Sequence, residues 1–384
     1  MKIPLAWHQL FHEKMRLLAA IAGIAFADVL IFMQLGFKNA LFDSAISIPK
    51  SLQGDIFILS NQTDTFVNPT PFAARRLYQM MGKEDVEKIS SLYIDVSLWK
   101  NPETRDTRQV YVMGFNPVFN VVDLEGVSDN LDIIKRPDVF IFDRKSRPEF
   151  GPITDWFLEG KTVKTEVGNR KIEIGGLFSL GSSFGADGTI ISSDLNFFRL
   201  YPNRSKGLID VGIIQLKPGV DANQMATLIR EELTAGGDVQ VFTKEELINY
   251  ELNYWQTSTN IGFIFGLGTA MGFVVGTVIV YQILYTDVSD HLPEYATLKA
   301  IGYGDNYLLG VVFQEALLLA LIGFLPSFGL GIILYSNTTK ATGLALIMTA
   351  GRALTVLTMT VVMCCISGAI AVGRLRAADP ADIF

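Results

Sequence analysis

Histidine, cysteine and charge are all scarce in this chain of 384 residues, and each shortage removes a class of function. The two cysteines, Cys364 and Cys365, are adjacent and lie inside an apolar run. Neighbouring helix positions point in different directions, so this pair suits packing and not a redox motif or metal site. The three histidines are His8, His12 and His291. His8 and His12 have the i, i+4 spacing of a metal pair, yet no cysteine or other strong ligand is near, and no metal is expected. The segment KIPLAWHQLFHEKMRLL reads better as an amphipathic interfacial helix, with Trp7 and Phe11 at headgroup depth. The net charge of −7 comes without a basic stripe, which excludes phosphate-backbone binding.

Nucleotide and catalytic motifs are missing too. The chain has no G-x-x-x-x-G-K-[ST] loop: Gly160–Lys161–Thr162 has Asp155 where the first glycine belongs. There is no H-E-x-x-H. GSSFG at Gly181–Gly185 places Ser183 as a nucleophile, but no histidine base exists in the surrounding segment, so a flexible loop is expected. GLGTAMG at Gly266 has the wrong spacing for a dinucleotide loop and lies in an apolar run. The chain is therefore expected to be non-catalytic and to need no cofactor.

What is present is hydrophobicity, at 49% of residues against 18% charged and a mean hydropathy of +0.32. The charge deficit is local. Four runs reach the roughly 20 apolar residues that cross a bilayer: Leu17–Phe37, Ile261–Tyr285, Leu308–Tyr335 and Ala353–Val372. The first is interrupted by Asp28 and Gln34, has no small-residue cleavage site, and reads as an uncleaved anchor. An even number of spans puts both termini on one side. Lys2, Lys14, Arg16, Lys299, Arg374 and Arg376 against Lys340 and Arg352 predict an inner (plasma) membrane protein with cytoplasmic termini and a periplasmic large domain.

The expected fold is thus four transmembrane α-helices with a large α+β periplasmic domain inserted between helices 1 and 2. The organisation reads as residues 1–43 for the amphipathic helix and first span, and Ser44–Tyr254 for the α+β domain with its stalk. The second span follows in 255–285, a cytoplasmic segment in 286–307 and the third span in 308–335. A periplasmic loop occupies 336–352, and the fourth span with its tail 353–384. Strands are expected at Asp55–Leu59, Leu92–Trp99, Gln109–Phe115, Val139–Asp143, Val211–Leu216 and Val239–Phe242. Helices are expected at Phe72–Met81, Ser193–Leu200 and Asn223–Leu233, with a stalk from Lys244 running on into the second span. Asn116–Lys135 is a candidate break between two lobes.

Two features inside the spans stand out. Asp28 is either a lining or coupling residue, or a carboxylate paired with a neighbouring helix. Gly268, Gly272 and Gly276 are four apart, an interval that lets helix backbones approach closely, within or between protomers. Gln314 and Glu315 are expected at an interface near the start of the third span.

The segment Thr286–Ala316 carries the most information. A short helix is expected from Pro293, a favoured first-turn residue, with Glu294 at its positive end and Gly302 as its stop. Tyr295, Leu298 and Ile301 share a face at helical spacing and are expected to meet a partner.

Glu294, Lys299, Ala300, Ile301 and Gly302, followed by Gln314–Glu315–Ala316, resemble the coupling region of MacB/FtsX-type permeases, with Tyr295–Ala296 replacing the usual Ile-Gly. RLRAADPADIF, Arg374–Phe384, is similar to the family's basic tail. Both membrane flanks narrow the resemblance to the DevC family, permease subunits of DevBCA-type exporters. That resemblance implies an ABC-type exporter subunit working as a homodimer in membrane lipids, with a separate DevA-like ATPase, a DevB-like periplasmic adaptor and a TolC-like outer-membrane channel. It implies ATPase coupling through Pro293, Glu294, Tyr295, Leu298, Lys299 and Gly302, and a lipid-like or other envelope-directed cargo. A regulator of an envelope hydrolase, transporting nothing, and a lipoprotein-releasing permease are the competing functions.

Overall fold

A computed structural model describes residues 14–181, 187–234 and 237–377. The chain divides into two compact units. One comprises Met1–Ala40, Ile261–Ala341 and Leu346–Phe384; the other comprises Leu41–Asn260 with Thr342–Ala345. In chain order the elements are α1 (Lys14–Ala45), α2 (Ser47–Ser51), β1 (Ile56–Ser60), β2 (Phe72–Ala73), α3 (Arg75–Tyr78), β3 (Val86–Lys100) and β4 (Thr107–Phe115). Then come β5 (Val139–Asp143), α4 (Ile153–Leu158), β6 (Val163–Val167), β7 (Arg170–Phe178), β8 (Thr189–Ser193), α5 (Asp194–Leu200), β9 (Leu208–Ile209) and β10 (Val211–Leu216). The last are α6 (Ala222–Thr234), β11 (Val239–Thr243), α7 (Lys244–Asn253), α8 (Asn260–Asp290), α9 (Leu292–Ala300), α10 (Asp305–Thr342) and α11 (Ala350–Ala377).

The large unit is built on one sheet of order β11-β1-β10-β3-β4-β8-β5-β7-β6. Strand β3 organises it. Its first half pairs with β10 over Val86–Leu92 and its second half with β4 over Leu92–Lys100. Its far end also meets β6, Trp99 against Val167 and Lys100 against Glu166, so β3-β4-β8-β5-β7-β6 close into a ring. Alternate residues feed two cores. Ile56, Ile58, Val110 and Val112 join Trp99, Phe142 and Ile229 of α6 on one side. Phe57, Leu59, Tyr111 and Met113 join Ile48, Leu52 and Leu247 of α7 on the other. Burial on both faces is why β1 and β5 read as unbroken apolar runs.

Several expectations for this unit need correcting. Phe72–Met81 is not one helix: Phe72 and Ala73 pair with Ile209 and Leu208, leaving only Arg75–Tyr78 helical. Strands β6, β7 and β8 were not expected, because VKTEV and RKIEIGGLF mix charges and glycines with their buried residues. Asn116–Lys135 separates no lobes, since Val121, Val122, Val127 and Ile134 are buried in the same core as β3 and β4. Helix α7 opens with a capping box between Thr243 and Glu246, but does not continue into the second span. A π turn at Tyr254–Ser258 and an extended Thr259 interrupt it.

Among the described residues, α1, α8, α10 and α11 are long and apolar enough to cross a membrane. Each extends beyond its expected span. Ala20, Ile24, Val280, Leu284, Ala316, Ala320, Met363 and Cys364 form their common core, which gives Cys364 the packing role its sequence context predicts. The glycine column is used within the chain. A Cβ on Gly272 would lie 3.0 Å from Ile31 Cγ1, one on Gly268 2.5 Å from Gln34 Cδ, and one on Gly276 2.8 Å from Ala27 Cβ. Gly268 and Gly272 therefore let α8 approach α1, and Gly276 makes room for both α1 and Met363 of α11, whereas Gly266 has nothing within 4 Å.

Candidate functional site

Helix α9 follows α8 almost without a break. His291 N–H donates to the Asp287 carbonyl at 3.1 Å and Tyr295 N–H to the His291 carbonyl at 3.1 Å. Pro293 has no N–H to add to the ladder, so the hydrogen-bonded run is thinned at this joint, the elbow between the two helices. The C-terminal stop is a Schellman motif: Gly302 has φ +103°, and Tyr303 N–H reaches back to the Leu298 carbonyl at 3.0 Å. Only glycine takes that backbone conformation without strain.

Tyr295 does not share an outward face with Ile301. It is 1% exposed and packs with Val288, Val312 and Val372, with Leu292, Leu298 and Leu309 around them. An aromatic ring on a helix of nine residues gains more from that core than from solvent, so it rivets α9 to α8, α10 and α11. Leu298 is half-buried at the edge of the same cluster. Pro293, Glu294 and Thr297 are exposed, and Ile301 is 71% exposed. Beyond the stop, the Tyr303 and Tyr307 rings lie 4.6 Å apart, both exposed. Lys299 belongs to α9, but its side chain is outside the described residues, as are His8, His12, Ser183 and the end of the basic tail.

A charged cluster that the sequence did not reveal sits at the elbow. Arg16 of α1 reaches Asp287 at 3.4 Å and also bonds Asp290. His291 Nδ1 is 3.7 Å from Asp287 Oδ1. Glu315 of α10 lies beside Asp287 and Arg16 and is fully buried, while Gln314 next to it is exposed. The one available signal was the i, i+3 pair Asp287 and Asp290 at a helix C-terminus, where the dipole disfavours acids.

Asp28 sits deep between helices. Ser327 Oγ donates to it at 3.1 Å and Thr360 Oγ1 at 2.7 Å, joining α1 to α10 and α11. Both hydroxyls also lie within reach of their own helix carbonyls, Phe324 at 2.7 Å and Val356 at 2.8 Å. This is the helix-pairing alternative, and it satisfies a polar group that lipid would not.

The large unit holds buried acids of its own. Asp210 is bonded by Arg204 and by the Ile94 N–H at 2.8 Å; burial pushes its pKa up to about 6, against the pull of Arg204. Glu251 of α7 accepts from Thr65 Oγ1 at 2.6 Å, Phe66 N–H at 2.6 Å and Trp255 Nε1 at 2.8 Å, and burial raises its pKa despite those bonds. Tyr250 adds a bond to the Thr63 carbonyl at 2.6 Å, so α7 pins the loop of residues 61–71. Among the described residues, no group of histidine, cysteine and acidic side chains has the arrangement of a metal site.

Residues 266–380 match the family described as FtsX: FtsX-like permease C-terminal. No curated protein matches the chain. Among solved structures, the periplasmic region of MacB from Actinobacillus actinomycetemcomitans is 12% identical, over 51% of this chain and 91% of that one, with a TM-score of 0.36. The extracellular domain of the noncanonic ABC-type transporter YknZ from Gram-positive bacteria is 14% identical, over 49% and 98%, with a TM-score of 0.34. A domain of a permease protein from Porphyromonas gingivalis is 14% identical, over 50% and 86%, with a TM-score of 0.31.

Proposed function

We propose that this chain is the permease subunit of an ABC-type exporter of the MacB/FtsX kind, passing motion from a separate ATPase through its spans to the large domain. The observation that carries this reading is α9, a short helix riveted by Tyr295 yet presenting Glu294, Thr297 and Ile301 outward, within the matched region. A helix so held moves with the bundle, and a helix so exposed can be gripped. Its docking face is Pro293, Glu294, Thr297 and Ile301, with Leu298 at the rim and Lys299 as an orienting charge; Gly302 sets where the face ends.

The reading extends to a homodimer, since ABC ATPases work in pairs; Gly268, Gly272 and Gly276 of α8 already meet side chains of their own chain. Further partners are a DevB-like adaptor and a TolC-like channel, with a lipid-like or other envelope-directed cargo. The docking face is tested by Ile301→Asp and Leu298→Asp in full-length protein. A buried interface anchor is worth more than about 1 kcal/mol, so both should reduce ATPase co-purification at least about fivefold, Ile301→Asp more strongly. Unchanged co-purification in normally inserted protein removes α9 as the docking element.

A further inference from the structure

The elbow between α8 and α9 is held by groups that local helix physics does not explain. Asp287 and Asp290 occupy the last turn of α8, where unsatisfied carbonyls and the helix dipole repel carboxylates. Both are bonded by Arg16 from the start of α1. The Asp287 side chain is 9% exposed, so loss of the guanidinium would strand a desolvated charge. Asp290, by contrast, is half exposed at 51% and can leave for water readily. His291 faces Asp287 from the elbow itself, and Glu315 faces it from α10, with both of its carboxyl oxygens buried. The cluster is rich in acid relative to the arginine it surrounds. Immediately after it, Pro293 omits a rung of the helical ladder, which makes this the weakest joint between α8 and α9.

We infer that Arg16 is a positioning residue for α9: by bridging Asp287 and Asp290 it locks the elbow, and α9 swings only when that bridge opens. The angle at which α9 is presented is then set from α1, a helix remote in sequence from the docking face. The consequence for coupling rests on the reading of α9 as the docking element; the lock itself does not.

The lock is tested first in the full chain alone, in lipid nanodiscs, by hydrogen exchange. Arg16→Ala should speed exchange across residues 286–304 by about five- to thirtyfold, the range that corresponds to losing one or two kcal/mol, and leave β3 unchanged. Arg16→Lys, which keeps a cation facing both aspartates, should retain part of the protection that Arg16→Ala loses. Unchanged exchange in Arg16→Ala, or equal loss in Arg16→Lys and Arg16→Ala, overturns the lock whatever the ATPase does. A second measurement separates a moving lock from a static brace. In the complex with its ATPase, a non-hydrolysable ATP analogue should change exchange in residues 286–304 of the unmodified chain and change it much less in Arg16→Ala, where the bridge is already absent. An equal response in both means that the elbow need not open. An unmodified chain that binds no ATPase refutes the docking reading and leaves the first measurement standing on its own.

Discussion

Asp210 and Asp28 are both buried acids, and their surroundings assign them different consequences. The Asp210 pKa is raised from 3.8 to about 6, so the folded chain holds this proton more tightly than the unfolded chain does. Its contribution to stability is therefore fully present below about pH 4 and is lost as pH rises through about 6, on the order of 2–3 kcal/mol in all. Asp143 and Glu251, also raised by burial, add slopes of the same sign. Asp210→Asn should remove its own part, so the difference in unfolding free energy between wild type and variant should change between pH 4 and 6 and stay flat above. A constant difference across that range would contradict the assignment. Asp28 instead clasps three helices, and its two hydroxyl partners retain backbone carbonyls if it is altered. Asp28→Asn should accordingly cost no more than about 0.6–1.7 kcal/mol of bundle stability, measured by unfolding in lipid. A folded Asp28→Asn protein that has lost all coupled ATP hydrolysis would show that the carboxylate does more than pair helices.

At the scale of elements, the α8 glycines supply an internal comparison. Gly272→Leu must push α8 away from Ile31 on α1, whereas Gly266→Leu meets open space. The first should destabilise the bundle by more than about 1 kcal/mol and the second should be neutral or mildly stabilising, in the same unfolding assay. Equal effects would mean that the column does not govern the α1–α8 contact. Elements of this kind were legible where one physical signal dominated. Four apolar runs marked four spans, Pro293 and Gly302 bracketed α9, and near-continuous apolar runs marked β1 and β5. Signals failed where partners came from far away. Phe72 and Ala73 become a strand because Leu208 and Ile209 lie alongside, and VKTEV is a strand because β7 and the end of β3 pair with it. Tyr295 is the instructive residue of the site: helical spacing places it on a face with Leu298, but which face turns inward depends on Val312 and Val372, on other helices. Arg16 counted only as a basic flank until α8 brought two aspartates to it.

On the scale of the whole molecule, one chain carries both a bundle of long apolar helices and a large sheet unit. It predicts sidedness: cysteines at Asn68 and Asn203, both exposed, should react with impermeant thiol reagents from the periplasmic side only. Labelling from the cytoplasm alone would reverse the topology. The central claim is that the chain works as the permease half of an exporter, and gentle purification followed by mass measurement of the lipid-embedded complex tests it most directly. The account predicts two copies of this chain with two of a separate ATP-hydrolysing subunit, accompanied by a periplasmic adaptor. Recovery of the chain without any ATPase, or with an envelope hydrolase in the adaptor's place, would contradict it.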